Sequence, residues 1–253
     1  MNKQNLKKNW KQEEQHAFEG WDFSHLHGRW VSEPMDWDYA RTVTEMIQPA
    51  DRLLDMGTGG GEVLLSLKHP HSLTSVTEAY EPNIRLCMEK LAPLGIRVYP
   101  VKDYTCLPIR DNLFDIVIDR HETYDPGEVR RILKPGGLFI TQQVGGDSCI
   151  DFARRLNPKG KPVYEDFSLA GEIPKLERQG FTIRRAEENY PLLKFFDVGA
   201  VVFWAKIIEW TFPGFSVDHN LDELCDLQEE LERNGFVSAA QHQFFIIARN
   251  DKS

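Results

Sequence analysis

A chain of 253 residues with 41% hydrophobic and 27% charged side chains can bury one principal core and is too apolar for general disorder. Its net charge of −9 argues against a broad nucleic-acid-binding face, because phosphate neutralisation needs basic surface. Cys87, Cys106, Cys149 and Cys225 include no Cys-x-x-Cys pair, so they read as reduced thiols rather than a zinc knuckle or a disulfide framework.

Residues 1–20 are polar and lysine-rich, and a frayed helix or mobile arm is expected there. They hold no apolar stretch of signal-peptide length, and no window of the chain approaches 18 apolar residues. A cytoplasmic protein with no membrane span is the expectation. Aromatic residues then crowd together: Trp21, Phe23, Trp30, Trp37 and Tyr39, with His25, His27 and Arg29 between them. A packed satellite cluster is the simpler reading and a lid over a ligand the sharper one. His25-x-His27 without a third ligand makes a poor metal site.

Helical spacing over 38–48 ends at Pro49. Strands are predicted at 51–56, 73–79, 96–102, 113–119 and 137–144, separated by helices at 61–68, 82–92 and 126–133. This alternation predicts an α/β fold, a parallel sheet with helices on both faces. Further on come a helix at 169–179, a strand at 181–186, an apolar helix at 197–210, an amphipathic helix at 221–233 and a closing strand at 236–249.

The stretch from Leu53 to Glu62 runs an apolar strand into a turn almost without side chains, where something must approach the main chain closely. A dinucleotide fingerprint, Gly-x-Gly-x-x-Gly, would need glycine at position 62, and Glu62 stands there. Glu78 ends the second predicted strand, where a carboxylate can accept from both hydroxyls of a ribose. Asp103, ahead of Tyr104, follows the third and can accept from an exocyclic amine. Ligands of open α/β sheets bind at these carboxyl ends.

Five blocks in order, Leu53 to Gly61, Thr77-Glu78-Ala79, Asp103 with Leu107-Pro108, Phe114-Asp115-Ile116-Val117 and Leu133-Lys134-Pro135-Gly136-Gly137, resemble class I S-adenosylmethionine-dependent methyltransferases of the type 11-like kind. The resemblance covers residues 50–145. It implies a Rossmann-like, mostly parallel sheet of seven strands in the order 3-2-1-4-5-7-6, the last antiparallel and supplied by 236–249. The domains implied are an N-terminal helical cap or arm at 1–48 and a cofactor-binding domain at 49–253 with a helical insertion at 187–235. Both variable segments are aromatic-rich and would form a cap suited to a small organic acceptor.

Carried over to this chain, the resemblance puts Asp55, Gly57, Thr58, Gly59 and Gly61 around the methionine portion of S-adenosyl-L-methionine. Glu78 would hold the ribose and Asp103 the adenine amine, with Ala79, Tyr104 and Arg120 beside them. At the fourth strand end, His121 is the candidate to take a proton from the acceptor, with Glu122 orienting it or contacting substrate; the plainer reading makes both rim residues. A metal is not expected. Competing readings are an RNA or protein methyltransferase, a nicotinamide-dependent oxidoreductase lacking its third glycine, and a non-catalytic sensor of the same cofactor. The acceptor and the oligomeric state are left open.

Overall fold

The computed structural model describes residues 2–18, 23–157, 161, 163–164 and 166–252; Trp21 of the expected aromatic cluster lies outside them. In chain order the elements begin with α1 (Lys3–Glu14), β1 (Trp30–Ser32), α2 (Tyr39–Met46), β2 (Leu53–Met56), α3 (Glu62–Ser66), β3 (Thr74–Glu78), α4 (Glu81–Lys90) and β4 (Arg97–Pro100). There follow β5 (Phe114–Arg120), α5 (Pro126–Ile132), β6 (Leu133–Val144), α6 (Ile150–Leu156), α7 (Leu169–Arg178), β7 (Phe181–Asn189) and β8 (Leu192–Phe195). The last are α8 (Val198–Ile207), α9 (Leu221–Asn234), β9 (Val237–Ala240) and β10 (Gln243–Asn250).

Two compact units are built from interleaved segments. One comprises residues 36–143, 168–188 and 244–253, the other 1–35, 144–167 and 189–243. These limits differ from a cap at 1–48 followed by a domain with one insertion, because residues 144–167 also belong to the second unit.

The first unit carries a seven-stranded sheet in the order β4-β3-β2-β5-β6-β10-β7, mostly parallel with one antiparallel strand. It is the implied fold. β2 pairs in parallel with β3 and β5, placing Asp55 opposite Val76 and Ile118, and Met56 opposite Asp119. Leu53, Leu54, Met56, Val76, Val117 and Ile118 are fully buried, as expected of central strands covered on both faces. The Leu133-Lys134-Pro135-Gly136-Gly137 block lies inside β6 and carries a register shift: Phe114 pairs with Leu133, but Ile116 pairs with Leu138. A Cβ on Gly137 would stand 2.9 Å from the Asp115 carbonyl oxygen, so the irregularity requires a residue without one. Trp37 and Tyr39 are not lid residues; both are buried, with ring centroids 5.9 and 6.2 Å from Phe245.

The second unit holds an antiparallel sheet in the order β1-β8-β9. Helix α8 is apolar on every side because Val198 through Ala205 are all buried. Phe195, Phe203, Trp204, Phe212 and Phe215 are core residues as well, so most aromatics assigned to an acceptor enclosure pack this unit's own interior; Phe196 and Trp210 are the exposed ones of that group. The stretch expected to be a frayed helix or a mobile arm forms helix α1, which is docked, burying Leu6 and Trp10 in the same core. The expected single strand at 236–249 is two strands, β9 here and β10 in the other sheet. His25 bonds Glu13 and Arg29, and among the described residues no His, Cys, Asp and Glu cluster could hold a metal ion. No helix among them is long and apolar enough to cross a membrane.

Candidate cofactor site at the strand ends

The turn after β2 is made by Gly57, Gly59 and Gly61, whose φ angles of +61°, +60° and +80° lie in the left-handed region that favours glycine. The N–H groups of Gly57 and Thr58 donate to the Thr77 carbonyl at 3.1 and 3.3 Å, which fastens the turn to the end of β3. At Gly57 the constraint is also steric. A Cβ there would fall 2.5 Å from Cγ of Glu122, so the Glu122 side chain occupies the space a larger residue would need. At Gly59 a Cβ would meet nothing within 4 Å, leaving that part of the turn open to a ligand.

Glu78 has a structural task that spacing did not reveal. Its Oε2 accepts from the Gly59 N–H at 2.9 Å, and Oε1 accepts from the N–H groups of Ala79 and Tyr80 at 2.9 and 3.0 Å. An ionised carboxylate offers about four acceptor positions, so Oε2 keeps capacity for a further donor. Asp103 is exposed and closes its own loop, accepting from the Thr105 N–H at 2.9 Å and the Thr105 hydroxyl at 2.6 Å; these bonds hold its carboxyl below the usual range. Tyr104 beside it is buried.

Buried acids gather around this turn. Burial pushes the Asp55 carboxyl up to about 7, with the Glu78 charge adding to the rise while the Thr58 hydroxyl and Arg120 oppose it. Burial also raises Asp119, at the end of β5, well above the carboxylate range, reinforced by Glu122. Glu122 itself is raised by burial and by the Glu78 charge. Thr77 Oγ1 and Asp119 Oδ2 are buried here with no hydrogen-bond partner among the described residues, and the buried hydroxyls of Tyr39, Thr58 and Tyr104 approach Asp119, Asp55 and Glu122 without a well-formed hydrogen bond. Burying such groups unpaired is costly, and a cluster of them beside several carboxyls fits a polar ligand that carries positive charge. S-adenosylmethionine, with its sulfonium, ammonium and ribose hydroxyls, has that character.

Each member of the expected catalytic pair has contacts of its own. His121 has φ +67°, its N–H donates to the Gln142 carbonyl at 2.9 Å, and its ring Nε2 lies 3.1 Å from the Gln142 side-chain nitrogen. Glu122 instead accepts from the Thr123 N–H at 2.8 Å and lies against Gly57 and Tyr104. Gln142 thus contacts His121 through both its main-chain oxygen and its side chain. Sequence reading placed Trp37 and Tyr39 in an aromatic cluster or lid and missed Gln142 and Gln143, whose side-chain nitrogens reach His121 at 3.1 Å and Asp119 at 2.7 Å. The signal available was the polar pair Gln142-Gln143 at the end of an otherwise apolar strand. A separate cavity of about 680 Å³, lined by Arg52, Thr74, Arg97 and Phe114 among others, lies at the amino ends of the strands, away from these groups.

The sequence pattern of the methyltransferase domain matches residues 54–141, which span β2 through most of β6. The ubiquinone/menaquinone biosynthesis C-methyltransferase UbiE of Acidiphilium cryptum is 28% identical over 157 residues, 58% of each chain. The malonyl-[acyl-carrier protein] O-methyltransferase of Geobacter sulfurreducens is 32% identical over 104 residues, 38% of this chain and 39% of that one. The matches thus span little more than half of the first relative and about two fifths of the second. Among solved structures, a SAM dependent methyltransferase from Aquifex aeolicus superposes with a TM-score of 0.51 over 96% of this chain and 97% of that one at 16% identity, a likeness of fold. With the strand order of the sheet, these matches show that residues 54–141 carry a methyltransferase domain, of the class I S-adenosylmethionine-dependent kind.

Proposed function

We propose that the protein transfers the methyl group of S-adenosylmethionine to a small organic acceptor in the cytoplasm. The observation that carries this reading is the bond from the Gly59 N–H to Glu78, which joins the open glycine turn to an acid at the neighbouring strand end. Burial disfavours the charged forms of Asp55, Asp119 and Glu122, and a cationic donor placed beside them would draw these carboxyls toward ionisation, an attraction available to a sulfonium or ammonium group and not to a neutral ligand. In this assignment Asp55, Gly57, Thr58, Gly59 and Gly61 border the amino-acid and sulfonium side, Glu78 and Ala79 the ribose, and Asp103 and Tyr104 the adenine. Arg120 moderates the charge of Asp55.

When bound, the cofactor supplies an activated methyl group, and the protein's part is positioning, charge complementarity and exclusion of water. His121 and Glu122 are the side chains we assign to the acceptor side. A small acceptor is supported by the net charge of −9 and by relatives named for quinone, acyl-carrier-bound malonyl and sterol methylation.

The test is a melting experiment with S-adenosylmethionine, its demethylated product and NADH, followed by transfer assays with methyl-labelled cofactor and a panel of acceptors. At a hundredfold excess over Kd, a specific ligand stabilises by about 2.7 kcal/mol, and Glu78→Ala should remove most of that gain. A response to NADH alone would overturn the reading. Tight cofactor binding with no transfer to small molecules, RNA or protein would favour a sensor.

A further inference from the structure

Three side chains of the sheet-bearing unit form a directional chain. The indole Nε1 of Trp37 donates to the side-chain oxygen of Gln142 at 2.9 Å, and the side-chain nitrogen of Gln142 lies 3.1 Å from Nε2 of His121. Trp37 and Gln142 are buried, at 7% and 5% exposure. An indole nitrogen can only donate, so it must meet the oxygen of the amide, and the amide nitrogen must point the other way. That nitrogen can also only donate. Nε2 of His121 is therefore the acceptor, and the proton of the neutral ring sits on Nδ1.

The backbone agrees with this arrangement. Gln142 pairs with Arg120 across β5 and β6 and accepts the His121 N–H, so one residue fixes both the main chain and the ring of His121. His121 adopts a left-handed φ of +67°, a conformation that costs energy outside glycine and persists where the surroundings hold it. A proton placed on Nε2 would set two donors face to face, and Gln142 could not turn to relieve them without opposing the indole.

We propose that Trp37, acting through Gln142, holds His121 in the Nδ1–H tautomer, so that His121 serves the acceptor as a hydrogen-bond donor and not as the base that removes its proton. The tautomer stands on the geometry alone, whereas its use toward an acceptor rests on the function proposed above. It selects a class of acceptor. An enolate, phenolate or carboxylate takes the methyl group with its own electron pair and becomes neutral, so no proton has to leave and no base is required. Trp37 and Gln142 are positioning residues in this scheme.

The experiment is long-range ¹⁵N–¹H correlation of the imidazole rings in labelled, cofactor-free protein at pH 8, with His121→Asn identifying the signal. The wild type should show Nδ1 protonated and Nε2 as the bare nitrogen. In Gln142→Glu a carboxylate can accept from both neighbours, so the dominant tautomer should switch to Nε2–H. Should Gln142→Glu fail to fold, Trp37→Phe releases the amide and should give a mixture of the two forms. A wild-type ring dominated by Nε2–H, or a pattern that neither variant changes, overturns the proposal. Because the measurement needs no turnover, absence of methyl transfer in every assay would sink the functional reading and leave the tautomer standing.

Discussion

At Glu78, three backbone N–H groups converge on one carboxylate, so the residue holds the glycine turn in place before any ligand arrives. Glutamine is nearly the same shape but offers one oxygen. In Glu78→Gln the amide nitrogen must face either Gly59 or the Ala79 and Tyr80 pair, donor against donor. Bonds to charged acceptors are worth about 1.5–3 kcal/mol, and a loss of that order in urea unfolding is expected, together with weakened cofactor binding; unchanged stability would show that the turn does not depend on this side chain. Asp55 gives a prediction in pH. Its folded carboxyl is raised from 3.8 to about 7, so between those values the folded state holds a proton that the unfolded chain has released. Stability from this residue is therefore complete below about pH 4 and falls as pH rises to about 7, by up to about 4 kcal/mol at ~1.4 kcal/mol per pH unit. Asp55→Asn should flatten that part of the stability profile and raise the melting temperature of the cofactor-free protein at pH 8. A slope that survives the substitution would place the titration elsewhere, with Asp119 the next candidate because burial raises it too.

Among the elements, α1 departs furthest from expectation. Its sequence offers two apolar residues, Leu6 and Trp10, one helical turn apart among lysines, too little to distinguish a docked helix from a solvated arm. The residues that cover them are distant in sequence, including Phe203 and Leu224 in the same core. Trp10→Ala should cost about 3–5 kcal/mol, the usual loss for truncating a buried large aromatic, measured as faster amide exchange across α8 and α9. Exchange rates unchanged there would restore the arm. The exposed pairs of Lys3 with Asp222 and Lys7 with Asp218 add little by comparison. The same contrast explains what was legible. Central strands such as β2 and β5 announce themselves because burial on both faces demands unbroken apolar runs, and glycine or acid residues mark their ends. The three- and four-residue strands β1, β8 and β9 are too short to show a period, and no glycine, proline, asparagine or aspartate between Ala240 and Gln243 marks the break that separates β9 from β10. At the site, the positions of Glu78 and Asp103 were readable from strand ends. The link from Trp37 to Gln142 was not, since residues 105 positions apart are joined by the fold alone.

For the whole molecule, the interleaving of segments decides what can be removed. The chain passes between the two units after residues 35, 143, 167, 188 and 243, so neither unit is one continuous piece. A cap confined to residues 1–48 would be dispensable for folding, and its removal would leave a soluble core. The structure leads to the opposite expectation for deletion of residues 1–35. Loss of β1 strips the strand that pairs with Leu193, Lys194 and Phe195 of β8, leaving an open edge next to apolar side chains. Loss of α1 and the segment after it removes Leu6, Trp10 and Leu26 from a core that includes Phe195, Phe203 and Trp204, and takes away the Phe18 and His25 rings that lie 6.1 and 4.7 Å from Phe203. Exposed apolar surface of that kind promotes association, so the shortened protein should elute as large species and bind 8-anilinonaphthalene-1-sulfonate strongly. Light scattering after size exclusion and dye fluorescence read both effects. A monodisperse, dye-silent product that keeps the full-length melting temperature would mean that residues 1–35 are an appendage after all, and that the second unit's core closes without them.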